Sequence, residues 1–412
     1  MLTALSALAA TAVDARPREI LPGIHKLRGI DPDLTHRDLR PLGKLLRRAQ
    51  IVGLGEAVHT TRGFSEAKVR LFRYLVESEG FRAFGIESSW IDAEPVADYV
   101  RTCEGDPREA LRGLFGVWEN VAVLELVEWM CAYNLEHPED PVHFYGFDIQ
   151  AQGRANIEAI REFLGRIGLE ENDERWLGVG DCLTDFFPGT PIPVEEHQRC
   201  VATLDRIWSD FDANEAEILG RVSATDLEWA RIHVFGLRAW QDASFYNETD
   251  RARHFEARDE GMAYVAEAIR RIRFPEARTA LWAHNGHVAK DQFIIGGADV
   301  MGVFLERRFG KRYKSIALIA HEGLIDWPAV GCGVWGTASA GSVEELLRQI
   351  GKRYLLVDLR FPGTQDKFLT PGRVYQINWN VFIVPRRHFD GLVYMKRAEK
   401  MRPLAWEPCD GG

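Results

Sequence analysis

The sequence lacks the signatures of several common enzyme classes. It has no GxSxG elbow to carry a serine nucleophile, no GxxxxGK[ST] loop to hold a nucleotide phosphate and no HExxH zinc helix. Serine-esterase, nucleotide-hydrolysing and zinc-protease readings therefore lose their usual carriers. Cysteine is scarce: six in 412 residues, at 103, 131, 182, 200, 332 and 409, with no CxxC pair and no Cys/His spacing suited to zinc. In a chain this long such cysteines are expected as free thiols in a reducing cytoplasm. Basic charge is in deficit, with 51 Lys+Arg against 61 Asp+Glu and a formal net charge of -10. That balance argues against nucleic acid or an anionic membrane as partner. No apolar run approaches the roughly 20 residues of a membrane span. The opening MLTALSALAATAVDARP is apolar but lacks the basic region of a secretory signal, so it reads as a first helix. The expectation is a cytoplasmic protein whose partner is a small molecule.

What is present is an ordinary globular composition, 46% hydrophobic and 27% charged, with one informative stretch from Ile51 to Trp90. Ile51, Val52 and Leu54 form a short apolar run stopped by Gly55, the pattern of a strand buried on both faces. Phe64, Val69, Leu71, Phe72, Leu75 and Val76 then fall mostly on one helical side before Gly80 breaks the helix. A second apolar run, Ala83 to Ile86, completes a βαβ unit whose strands are expected to be parallel neighbours.

Polar residues follow the strand ends. The first strand delivers Glu56 and His59, the second Glu87. Val142 to Phe147 ends in Asp148, and Thr279 to Ala283 ends in His284, with His287 three residues on. Ligands of open parallel sheets bind beyond the carboxyl ends of the strands, so these groups are expected to share one crevice.

The rest of the chain frames that crevice. From about Gly153 to Phe274 the strand signal disappears and successive helices follow, broken around Pro188, Pro191 and Pro193. Strand candidates then return at Ser315 to Ala320, Tyr354 to Leu359, Val381 to Val384 and Leu392 to Met395. The fold expected is α/β and three-layered, with a mostly parallel central sheet and a large all-helical insertion. Residues 1–152 and 275–412 are read as the two parts of the α/β core, and 153–274 as a lid-like subdomain walling the cleft.

His59 is the first choice of general base, because a neutral imidazole can take a proton from water while a carboxylate fixes its tautomer. Glu56 or Glu87 can be that carboxylate; a helix-start histidine bonded only to backbone is the plainer reading. His284 and His287, in HNGH, either both face the cleft or divide the work, one capping a helix. Trp118, Glu119 and Asn120 are core by default, with a rim position as the lesser alternative. Arg62, Lys68 and Arg70 are near enough to supply cations. His59, Glu87, Asp148, His284 and His287 are of metal-ligand type, but they come from separate segments without a compact motif, so no metal and no cofactor is expected.

Together GLGEAVHTTRGF (53–64), EAKVRLFRYLVESEGFRAFGIE (66–87), LVEWMCAYN (126–134), FYGFDIQ (144–150), RDEGMA (258–263), AHNGHVA (283–289) and FDGLVYM (389–395) resemble the erythromycin esterase family. The resemblance implies a metal-independent hydrolase of an ester or lactone in a bulky, macrolide-like natural product. It implies His59 as the water-activating base with Glu56 as companion, Glu87 as a second catalytic carboxylate, and His284 and His287 as a pair lining the pocket. Lys68 matches a position of basic character, and Arg258 and Asp259 match an RD pair; with Arg62 and Asp148 these are the expected substrate contacts. The family's turn resembles GEATHGTREF, whereas here Val58, Thr60 and Gly63 stand for Thr, Gly and Glu. Those departures keep a second reading open, a tailoring enzyme of the same fold performing acyl transfer, cyclisation or dehydration on a peptide or polyketide.

Overall fold

The computed structural model describes residues 21–150, 152–183, 192–293, 297–327, 331–367, 369–378 and 381–404. The expected first helix and Cys409 lie outside them. The strands are β1 (Ile24–Lys26), β2 (Ile51–Leu54), β3 (Phe81–Ser89), β4 (His143–Asp148), β5 (Arg278–Trp282), β6 (Tyr313–Trp327), β7 (Gly331–Thr337), β8 (Tyr354–Asp358), β9 (Tyr375–Ile377), β10 (Val381–Ile383) and β11 (Gly391–Ala398). Before β4 come the helices α1 (Arg40–Leu46), α2 (Arg62–Glu79), α3 (Glu94–Thr102), α4 (Pro107–Leu111) and α5 (Val121–Glu136). Between β4 and β5 lie α6 (Gly153–Arg166), α7 (Glu174–Val179), α8 (Val194–Ala213), α9 (Glu215–Ile218), α10 (Ala224–Tyr246) and α11 (Arg251–Arg273), and α12 (Asn285–Val288) and α13 (Met301–Phe309) follow β5.

The central sheet runs β1-β8-β11-β6-β2-β5-β3-β4, with β7 paired to β6. From β11 to β4 every neighbouring pair is parallel, while β1–β8, β8–β11 and β6–β7 are antiparallel. Successive residues of the parallel strands serve two separate cores. Ile51, Leu281 and Tyr394 join the core on the α6–α13 side, and Val52, Trp282 and Met395 join that of α1, α2 and α5. A strand buried on both faces reads as a continuous apolar run, which is why β2 and β5 lack polar alternation. The fold is the three-layer α/β arrangement with a mostly parallel sheet.

Two expectations need correction, and one strand candidate belongs to a second sheet. The β2 and β3 strands are parallel but not neighbours, because β5 lies between them, with Val52 and Phe84 both opposite Ala280; a crossover helix fixes handedness, not adjacency. The strand candidate at Val381 to Val384 is a strand, β10, which pairs with β9 in a separate two-stranded sheet and not with the central one, and Phe382 is 68% exposed there. Four of the six cysteines expected as free thiols are bridged: Cys103 to Cys131, and Cys182 to Cys200. The partners are 28 and 18 residues apart in sequence but sit on helical segments packed side by side, with Cα–Cα distances of 5.4 and 4.9 Å. Spacing along the chain carried no trace of that packing. Among the described residues no helix is long and apolar enough to cross a membrane.

Candidate active site

The four adjacent strands β2, β5, β3 and β4 present their carboxyl ends side by side, and polar residues at those ends meet: Glu87 within the end of β3, Asp148 as the last residue of β4, and Glu56, His59, His284 and His287 just after β2 and β5. Gly55 makes the first turn possible: a Cβ there would lie 2.2 Å from Asn285 Oδ1 and 3.0 Å from the Asn285 Cα. Without a side chain at 55, the segment after β5 can close against the one after β2, and the Asn285 N–H donates to the Glu56 carbonyl at 2.7 Å.

Glu56 is fully buried. One oxygen accepts from His59 Nδ1 at 2.8 Å and from the Trp282 indole N–H at 3.1 Å; the other lies 3.1 Å from Lys68 Nζ. Burial alone would raise the Glu56 pKa, but Lys68, His59 and Trp282 outweigh it and hold the group below its usual range. The same burial pushes the Lys68 ammonium down to about 8 despite the opposing pull of Glu56. Lys68 also donates to the Ala283 carbonyl at 3.1 Å and stands over the Trp282 ring.

That carboxylate fixes the tautomer of His59. An ionised Glu56 can only accept, so Nδ1 carries the proton and Nε2 of the neutral ring is left with a lone pair. Nε2 lies 3.9 Å from Glu87 Oε1, and the side chain is 27% exposed. The ring stands edge-on to Trp118, 5.1 Å between centroids, and 5.6 Å from the ring of His284.

The neighbouring histidines have both nitrogens occupied. His284 Nδ1 accepts from the Gly286 N–H at 3.0 Å, capping α12, so Nε2 must donate to the Ala57 carbonyl at 2.9 Å. Burial, then the nearby His59 and His287, push its pKa down to about 4, so it is neutral. His287 lies between Asp259 Oδ1 at 2.7 Å and Glu87 Oε1 at 3.2 Å. Burial and Arg258, whose Nη1 lies 3.3 Å from Nε2, oppose its charge, but Asp259 and Glu87 prevail and raise its pKa to about 10.

Glu87 is thereby held as an anion. Its Oε2 accepts the His284 backbone N–H at 2.7 Å, and its Oε1 faces His287 and, at 3.1 Å, Arg258 Nη2. Burial would raise its pKa, yet His287, His59 and Arg258 bring it well below the ordinary value. Arg258 also clasps Asp148 through both Nε and Nη2. Asp259 accepts the Met301 N–H at 2.7 Å as well as His287.

The expected substrate contacts are arranged differently from the sequence reading. Lys68, Asp148 and Asp259 have no exposed surface, so they act on Glu56, Arg258 and His287 from behind. Arg258 retains 11% exposure. Arg62 stands apart, 37% exposed and facing Glu66 at 3.5 Å. The substitution at Gly63 belongs to packing, because a Cβ there would lie 2.9 Å from Met395 Sδ and 3.0 Å from the Ala398 Cα. Sequence reasoning missed Trp282, whereas Trp118 is in the core as expected. Trp118 is buried, and its indole N–H donates to the Glu87 carbonyl at 2.6 Å. The available signal for Trp282 was a tryptophan at the end of a buried strand, whose N–H needs a buried acceptor.

A histidine oriented by a buried carboxylate, its free nitrogen turned toward a second carboxylate at the carboxyl edge of a parallel sheet, defines an α/β protein with a candidate acid–base site. The chain belongs to the erythromycin esterase family, whose sequence profile matches residues 76–398. The matched span begins after the Glu56–His59 turn. The chain is 35% identical over 313 residues to erythromycin esterase type I of Escherichia coli, covering 69% of this chain and 73% of that protein. It is 21% identical to the type II enzyme of Escherichia coli, covering 71% and 74% respectively. Among solved structures, an erythromycin esterase mutant in its open conformation superposes with a TM-score of 0.73 at 18% identity, over 92% of this chain and 98% of that one. The family is one of hydrolases.

Proposed function

We propose that this chain hydrolyses an ester or lactone of a bulky natural product, with a water molecule activated by His59 and without a metal. One observation carries the reading: His59 is the histidine of the network with an unclaimed ring nitrogen, because Glu56 takes Nδ1 while both nitrogens of His284 and of His287 are engaged. Water bonded to Nε2 gives up its proton as its oxygen attacks the acyl carbon, and the resulting imidazolium is stabilised by Glu56 behind it and Glu87 in front. The imidazolium then protonates the departing alcohol. Glu87 is an unsuitable base, since three donors already hold it anionic. Kinship with the erythromycin esterases supports a macrolide-like substrate.

The test is incubation with a panel of macrolide and simpler lactones, followed by mass detection. A product heavier by one water that disappears with His59→Asn supports the proposal, and undiminished turnover by that variant removes it. Val58 and Thr60, both buried beside His59, support the second reading of a tailoring enzyme. Loss of water or an unchanged mass would identify it. The two disulfides weigh against the cytoplasmic location expected from composition, and we assign the chain to an oxidising compartment.

A further inference from the structure

Helix α11 supplies Arg258 and Asp259 to the network, and it continues beyond them. It ends at Arg273, and the chain enters the amino end of β5 at Arg278. The helix therefore runs opposite to the strands, and its first turns stand above the carboxyl edge where the active groups meet. Phe255 precedes Arg258 by three residues and Asp259 by four, the two spacings that place side chains on a shared helical face one turn apart. Arg258 points at Glu87 and Asp259 at His287, so Phe255 projects over the same crevice about 5 Å further out.

Its surroundings differ from those of a core phenylalanine. Phe255 is partly exposed and belongs to neither hydrophobic core. One neighbour is the His254 ring, edge-on at 5.0 Å, whose Nδ1 is tied to the Ala243 carbonyl. Another is the guanidinium of Arg251, 5.2 Å from the ring centroid. Arg251 is exposed, one further turn along the helix. An open aromatic surface with donor groups beside it suits a molecule carrying an apolar face edged with hydroxyl and carbonyl oxygens.

We propose that Phe255, with Arg251 beside it, is the specificity platform of this site, gripping the part of a large, oxygen-rich lactone remote from the bond that is cut. The proposal rests on the hydrolase reading above and adds to it the residue that selects for size. A contact far from the reacting atoms that is equal in ground and transition states changes KM and leaves kcat alone.

The experiment measures kcat and KM of wild type, Phe255→Ala and Phe255→Leu with erythromycin as the large lactone and 4-nitrophenyl acetate as the small ester, alongside melting curves. The expected result is a KM for erythromycin raised about tenfold in the alanine variant, the loss of one aromatic contact. The leucine variant lies between, kcat stays within twofold and the small ester is unaffected. An unchanged KM for erythromycin, or equal losses on both substrates, overturns the platform. Absence of turnover by wild type removes the hydrolase reading instead, and calorimetric binding of erythromycin then decides. Weaker binding to Phe255→Ala than to wild type sustains the platform; equal affinity, or no binding to wild type, ends it.

Discussion

Replacing Glu56 by Gln separates what this residue does for the fold from what it does for the reaction. The substitution keeps shape and removes one buried negative charge, leaving Lys68 without its partner 3.1 Å away. Breaking one side of a buried ion pair costs about 3–5 kcal/mol, a large share of a typical total of about 5–15 kcal/mol. The loss is capped because Lys68, already pushed down to about 8, sheds its proton once Glu56 no longer supports it. Catalysis suffers separately, since an amide neither enforces the Nδ1–H tautomer of His59 nor stabilises its charged form. A fall in kcat/KM of about 10²–10⁴ is expected, the range of a misdirected general base. The double variant Glu56→Gln/Lys68→Met removes both charges, so most of the stability should return while activity stays low. Urea unfolding and lactone turnover on wild type and both variants measure the two quantities independently. Recovery of full turnover in the double variant would show that Glu56 serves only to neutralise Lys68, and the base-orienting argument would fail.

Other outcomes follow from the same geometry. His287 is raised to about 10 in the folded chain from an unfolded value of 6.5, so it contributes a few kcal/mol that is fully present below pH 6.5 and lost as pH rises through 10. The stability gap between wild type and His287→Asn should therefore narrow over that interval, and a gap independent of pH would refute a charged His287. Thiol titration of the unfolded, unreduced chain should find no more than two reactive groups, six cysteines less the four in bridges. Cys182→Ser should cost about 3 kcal/mol, by loop-closure entropy over an 18-residue separation, read as a lower denaturation midpoint. Dialysis against EDTA should leave lactone turnover unchanged, and activity that falls and returns with zinc would overturn the metal-free reading.

The strand ends were legible in the sequence because burial on both faces makes the carboxyl-terminal parts of β2 and β5 apolar, so the first charged or imidazole group after each run marks the edge. Glu56, Glu87, Asp148 and His284 were found by that rule alone. The order of strands was not legible: β5 is separated from β2 by more than 200 residues, and nothing local distinguishes a central slot from an edge. The division of labour between exposed and hidden groups was equally invisible. Lys68 resembles any helix cation on paper, yet the ring of Trp282 and the carboxylate of Glu56 enclose it. The disulfides were missed for a related reason, since helix-to-helix packing, not spacing, brings their sulfurs together.

The position of β5 bears on how the chain is made. On the ribosome, β2 and β3 emerge early with a strand-wide slot between them, and almost the whole stretch from Ser89 to Arg278 must be synthesised before the filler arrives. Until then a nascent chain carries two unsatisfied hydrogen-bonding edges, the kind of surface that recruits strands from neighbouring chains. Truncations that stop short of residue 283 should therefore be insoluble on overexpression, and holdase chaperones should improve the yield of the full-length protein.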